Sequence, residues 1–214
     1  MQGIGRNLLA IAVALAALAG FVDAIAFSAL GFFASFMSGN TTRLGVALSG
    51  AEVSNETTAA ALLLSFLAGV IVSSVVARAF AARHMLAVIT LVTVLLGAAA
   101  ALSGNLTDGV DVLLVASAMG AANNVFVGER VGTPGMSVAT GALVRFGQEL
   151  TAALIGEGGR WDWLPYLALW VGFATGAIMG AGAYLRLAMS SLWIAAAGAA
   201  ALAVVVAIVV PSAE

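Results

Sequence analysis

The chain has 214 residues, 63% of them hydrophobic and only 8% charged, with a mean hydropathy of +1.13. No water-soluble domain of this size could cover so much apolar surface, so the sequence reads as an integral membrane protein in contact with a lipid bilayer. Eight arginines, no lysine and a net charge of -2 argue against a nucleic-acid partner, while the absence of cysteine and the single His84 exclude disulfides, thiolate chemistry and cysteine or multi-histidine metal sites, though not a carboxylate one.

Apolar stretches of about 20 residues, enough to cross a bilayer, run from Leu8 to Leu30, Thr58 to Ala77, His84 to Leu102, Val110 to Val127, Trp163 to Tyr184 and Ser191 to Val210. The triplet Ala17-Leu18-Ala19 resembles a signal cleavage site. Gly20, Asp23 and Phe27 match Gly120, Asn123 and Val127 further along, however, so the first stretch is expected to stay as a span. Between the first and second spans lies the segment Gly31 to Gly50, and between the fourth and fifth lies Met136 to Ile155. Each is apolar at its ends and polar in its middle, which predicts re-entrant or discontinuous helices, because irregular backbone at membrane depth must be buried in protein or line a wet cavity. The expected fold class is therefore an all-α polytopic membrane protein with six transmembrane helices and two broken segments.

The polar middles repeat. Ser38-Gly39-Asn40-Thr41-Thr42-Arg43-Leu44-Gly45 returns as Thr140-Gly141-Ala142-Leu143-Val144-Arg145-Phe146-Gly147. Phe66, Gly69 and Ile71 likewise match Phe173, Gly176 and Ile178, and Ser65, Gly69 and Ser73 form a small-residue ridge matching Gly172, Gly176 and Gly180. Such ridges are read as sites of close helix packing. One integral domain of two homologous repeats is expected, residues 1–107 and 108–214. If the broken segments re-enter, the repeats are inverted, with Arg6, Arg78, Arg83, Arg130 and Arg160 on the cytoplasmic side, Arg186 outside, and Glu52, Glu56, Asp108 and Asp111 facing out. If they cross fully, eight spans and parallel repeats result. The arginine distribution favours the first arrangement. Trp161, Trp163 and Tyr166 read as an interfacial anchor in both.

Asp23 stands out because its neighbours on both sides are apolar, and an acid inside a span costs roughly 2.5–3.5 kcal/mol on insertion scales. It therefore faces either a cavity, as a coupling or proton-carrying group, or a partner such as Arg43 or Arg145 in a fixed ion pair. Its repeat counterpart is Asn123, followed by Asn124. Arg43 and Arg145 would form an anion-binding pair if the broken segments meet near the repeat axis, or would reach opposite membrane surfaces if they do not. Glu149, four residues after Arg145, is placed to pair with it along a helix. Ser38, Gly39, Asn40, Thr41, Thr140 and Gly141 would supply the polar lining. His84 beside Arg83, and Glu129 beside Arg130, read as solvated boundary residues. No nucleophile–base pair, metal cluster or phosphate loop is recognisable, so no enzyme, metal or cofactor is expected. An enzyme acting on lipids would have only Glu149 and His84, on different elements.

The segments Gly20-Phe21-Val22-Asp23-Ala24, Met37-Ser38-Gly39-Asn40-Thr41, Met119-Gly120 with the following asparagines, and Ala139-Thr140-Gly141 resemble the YoaK-like family of bacterial membrane proteins, domain of unknown function 1275. The family pattern has Thr where Ser38 stands and Gln where Ala122 stands. The resemblance implies a small multi-pass protein of the bacterial inner membrane, and it implies no substrate. From the residues themselves, the favoured expectation is a small transporter or channel-like permease for a small solute, anionic if the arginines meet, with a central site at the repeat interface. The rival is a non-transporting scaffold or regulatory subunit that acts as a homo-oligomer.

Overall fold

The structure, a computed structural model, describes residues 5–50, 56–103, 109–126 and 138–210. Among them are eight α-helices and no strand: α1 (Arg6–Leu30), α2 (Met37–Leu48), α3 (Glu56–Ala79), α4 (His84–Leu102), α5 (Val110–Ala122), α6 (Val138–Ile155), α7 (Leu164–Leu187) and α8 (Leu192–Val209). Short 3₁₀ turns join α3 to α4 (Ala81–Arg83) and α7 to α8 (Ala188–Ser191). Four helical stretches are long and apolar enough to cross a membrane: Arg6–Leu30, Thr57–Ala79, Ala81–Leu102 and the 46-residue Leu164–Val209, which contains both α7 and α8. The fourth predicted span, expected to reach Val127, is helical only over Val110–Ala122. Glu52, Asn55, Asp108, Val127, Glu129, Arg130 and the start of the Met136 segment lie outside the described residues.

Helix directions follow from which ends share a core. One apolar cluster joins Phe21 and Ile25 of α1 to Leu62 of α3, Leu96 of α4, Val115 of α5 and Leu192 of α8. A second joins Ile11 of α1 to Ala77 of α3, Met85 of α4 and Val206 of α8, with Val125 just after α5. The N-terminal end of α1 thus lies with the C-terminal ends of α3, α5 and α8 and with the start of α4. So α1 and α4 run one way, while α3, α5 and α8 run the other.

The closest approaches are made at glycines. A Cβ on Gly20 of α1 would overlap the carbonyl oxygen of Phe173 in α7, and one on Gly176 of α7 would overlap that of Ala17 in α1. The same pair of contacts recurs between α5 and α3: Gly120 abuts the Phe66 carbonyl and Gly69 the Ser117 carbonyl. Phe66 and Phe173, Gly69 and Gly176, and Gly20 and Gly120 are the repeat-matched positions. Each half therefore packs its first helix on the third helix of the other half. Val13, Ala17 and Phe21 face Gly172, Gly176 and Gly180 in rising order, so α1 and α7 are parallel. Ser117 donates to the Ser65 carbonyl at 2.8 Å and Asn124 to Ser73 at 2.7 Å, which makes α3 and α5 parallel too. The outward faces carry Leu64, Ile71, Ile178, Met179 and Ile208, all more than half exposed, as a lipid-facing surface requires.

Candidate functional site

Gly31 ends α1. Its φ of 74° is left-handed, and its N–H closes on the Phe27 carbonyl at 2.8 Å, the usual glycine stop. The chain then runs back along α1. Ala34 and Ser35 donate their backbone N–H groups to Asp23 Oδ1 at 2.8 and 2.6 Å, and the Ser35 hydroxyl donates to Oδ2 at 2.6 Å. Asp23 lies roughly 10 Å before the end of α1 at the α-helical rise per residue, so the return is substantial. From there α2 climbs again. The Asn40 amide brackets the backbone of one residue, its Oδ1 accepting from Phe33 N–H at 3.0 Å and its Nδ2 donating to the Phe33 carbonyl at 2.6 Å. Phe33 stacks on Phe27 with ring centroids 5.0 Å apart and meets Phe36 edge-on at 5.3 Å. Arg43, one turn later, sets its guanidinium 5.8 Å from the Phe27 ring centroid and 5.2 Å from that of Phe32, beside Gly31.

Residues Gly31 to Leu48 therefore form a hairpin that descends as irregular chain to the level of Asp23 and rises as α2. Its free backbone groups are satisfied by two buried polar side chains, Asp23 at 4% exposure and Asn40 at 0%. The break expected in the middle of Ser38 to Arg43 lies in front of it instead, because Thr41 and Thr42 donate their hydroxyls to the Met37 and Ser38 carbonyls and stay helical. The described part of the Met136 to Ile155 segment is likewise one continuous helix, α6. Gly39 sits under the Phe36 and Phe33 rings, where a Cβ would come within 2.5 Å of Phe36 Cδ1.

The predicted site residues are divided among three neighbourhoods. Asp23, Ser38, Gly39, Asn40, Thr41 and Arg43 belong to the hairpin. Asp23 makes no ion pair with Arg43 or Arg145; its carboxylate is occupied by N–H and hydroxyl donors. Thr140, Gly141, Arg145 and Glu149 belong to α6, which packs on α7, with Phe146 5.9 Å from Trp163 in an edge contact. Arg145 and Glu149 form no ion pair, and both lie in the electrostatic reach of Tyr166. Asn123 and Asn124 follow α5: Asn123 Nδ2 donates to its own helix at Met119, and Asn124 Nδ2 to the Val70 carbonyl, Ser73 and Ser74 at 2.7–2.9 Å. Arg43 stands by the C-terminal turn of α1 and Arg145 by the start of α7. Because α1 and α7 are parallel, the two guanidiniums lie toward opposite ends of the bundle, and the expected arginine pair is not assembled. The matched first helices, α1 and α5, run in opposite directions, so the residues that follow them fall toward opposite ends.

Cavities open on the described residues at two places away from the hairpin. One of about 660 Å³ lies along the exposed face of α6, lined among others by Leu143, Gly147, Gln148 and Thr151. The other, of about 330 Å³, lies where α3, α4 and α5 meet, lined by Ser74, Ala77, Arg78, Ala81, His84 and Asn124. Neither is lined by Asp23, Asn40 or Arg43. Sequence reasoning missed Ser35 and the Phe27, Phe32, Phe33 and Phe36 rings, because no periodic rule links a carboxylate to a hydroxyl twelve positions away; the run of phenylalanines around Ser35 was the one local signal. It also read His84 as solvated, whereas its Nε2 is buried and has no hydrogen-bond partner.

Known proteins agree with the membrane reading. The chain is similar to the UPF0700 transmembrane protein RA0705 of Rhizobium meliloti (strain 1021), 34% identical over 197 residues that cover 87% of this chain and 80% of the relative. No solved structure matches it significantly. Residues 11–205 match the family described as "Protein of unknown function (DUF1275)", and the chain, a multi-pass membrane protein, belongs to that family.

Proposed function

We propose that the protein is a small, non-enzymatic permease of the bacterial inner membrane, with six crossings and two re-entrant hairpins arranged as inverted repeats over residues 1–107 and 108–214. The observation that carries this reading is the Gly31–Leu48 hairpin: irregular, polar backbone beside the middle of α1, a feature tolerated at membrane depth only where it is buried in protein or lines a wet cavity, and one that recurs at the binding sites of transporters. The helix directions support it. Had α2 and α6 crossed fully, α1, α3 and α5 would all run the same way, whereas the two cores set α1 against α3 and α5. The same directions put Arg6, Arg78, Arg83 and Arg160 at one end, the arginine-rich end expected to face the cytoplasm. Each hairpin then opens toward its own surface with one arginine, Arg43 or Arg145, and Asp23 and Asn40 are its fasteners. A small anionic solute would meet Arg43, which has no carboxylate partner among the described residues.

Uptake into liposomes carrying the purified protein tests this, with a panel of small organic anions and neutral solutes, with and without a protonophore. Flux of at least one solute above protein-free liposomes, reduced about tenfold or more by Arg43→Gln in a normally folded variant, is the expected result. Protein-free rates across the whole panel would end the permease reading. A second reading, a non-transporting scaffold or regulatory subunit working as a homo-oligomer, is favoured by one observation. The hydrogen bonds of Asp23 and Asn40 are spent on the hairpin's own backbone and on Ser35.

A further inference from the structure

We infer that the turn joining α7 to α8 is a strained joint on which α1, α6 and α7 swing as one body against α3, α4, α5 and α8, a movement whose use, opening a path beside the hairpin, rests on the permease reading. The helices fall into these two groups by their packing. In the first, α1 lies along α7, and α7 carries α6. In the second, α5 lies along both α3 and α4, and α4 along α8. Hydrogen bonds from Ser117 and Asn124 fasten α5 to α3, whereas α1 and α7 interleave at glycines. Between the groups, α1 meets α8 over a shorter stretch through apolar side chains, Ile25 and Leu192 in one core cluster and Ile11 and Val206 in the other. Such contacts have no fixed direction. Ala188 opens the turn with φ 47° and ψ -135°, the one positive φ on a non-glycine residue among the described residues. A Cβ disfavours that region, so the conformation persists only where its surroundings hold it. Ala188 N–H closes on the Tyr184 carbonyl, and the Ser191 hydroxyl, on a residue 0% exposed, donates to the Ala188 carbonyl at 2.5 Å. The hairpin also links the two bodies: its foot is bonded to Asp23 of α1 while α2 packs on α3, so a swing of α1 pulls one side of the hairpin past the other.

Spin-label distances measured on the full chain in liposomes test the joint, since the chain has no cysteine of its own. The joint lies at the end opposite Arg6, so a swing displaces the Arg6 end most. There, Asn7→Cys with Ala82→Cys reports across the two bodies, and Ala82→Cys with Ile208→Cys reports inside the second body, all three at exposed positions. Two distance populations are expected for the first pair and one for the second. Ala188→Gly, which accepts the same φ without strain, should shrink the population that has left the strained pose by about tenfold. Ser191→Ala, which frees the Ala188 carbonyl, should enlarge that population about fivefold. A single population for the first pair that neither variant changes, a shift of both variants in the same direction, or equal broadening of the second pair overturns the joint. If Ala188→Gly is not recovered folded, Ser191→Ala decides. Solute flux in the same liposomes is read separately: two populations without flux of any solute uphold the joint and end the permease reading, whereas flux with one unchanging population upholds the permease and overturns the joint.

Discussion

Replacing Asp23 by alanine removes the acceptor for two backbone N–H groups and one hydroxyl, all within 2.6–2.8 Å of its carboxylate. The carboxylate is 4% exposed and Ala34 is 0% exposed, so the freed donors gain little from water. Each unsatisfied buried donor costs about 1–3 kcal/mol. With partial relaxation of the loop the sum is about 3 kcal/mol, which for a chain of this size lowers Tm by roughly 6–12 °C. Asparagine keeps Oδ1 for the two N–H groups, and the Ser35 hydroxyl can turn to accept from the new amide, so Asp23→Asn should cost only about 1 kcal/mol. Thermal unfolding in detergent, followed by tryptophan fluorescence, reads both variants. A double-mutant cycle of Asp23→Ala with Ser35→Ala should return a coupling of about 1–2 kcal/mol. An Asp23→Ala variant within about 1 °C of wild type, or Asp23→Asn less stable than Asp23→Ala, would refute the role of Asp23 as the fastener of the hairpin.

Asn40→Leu should lower Tm by an amount comparable to Asp23→Ala, since it leaves both polar groups of Phe33 unpaired; an unchanged Tm in the same assay counts against the bracket. Gly20→Ala and Gly176→Ala force a methyl onto a facing carbonyl and should each cost several degrees, whereas Gly198→Ala, with nothing near its Cβ, should be neutral or stabilising by about 0.5–1 kcal/mol. Equal effects at all three would refute the packing account. The chain has no cysteine, so single cysteines report sidedness directly. With an impermeant maleimide, Ser49→Cys and Ser190→Cys should label from one face and Arg6→Cys from the other. Labelling of Ser49→Cys from the Arg6 face would mean that α2 crosses the membrane.

Much of the helical framework could be read in advance because its signal is composition. Six apolar runs became α1, α3, α4, α5, α7 and α8 with ends shifted by a few residues, and the small-residue ridges fell where backbones touch. The polar stretches were harder. Thr41 and Thr42 look like interruptions in a list of residues, yet their hydroxyls fold back on carbonyls one turn earlier and keep α2 helical. The break is set by Gly31 and held by Asp23, an interaction between distant positions that carries no periodicity. The two arginines show a different limit: the sequence match is indifferent to direction, and it is the parallel packing of α1 on α7 that leaves Arg43 and Arg145 toward opposite ends.

The exchange of partners between the halves has a consequence for biosynthesis. While the ribosome is still making the second half, α1 stands in the bilayer with its Gly20 surface covered by lipid alone, and α3 waits in the same way for α5. The close contact made by α1 forms only when α7 arrives, and α7 begins 134 positions after α1 ends, at Leu164 against Leu30. A chain truncated before α7 therefore lacks the partner of the Gly20 surface and leaves that seam open.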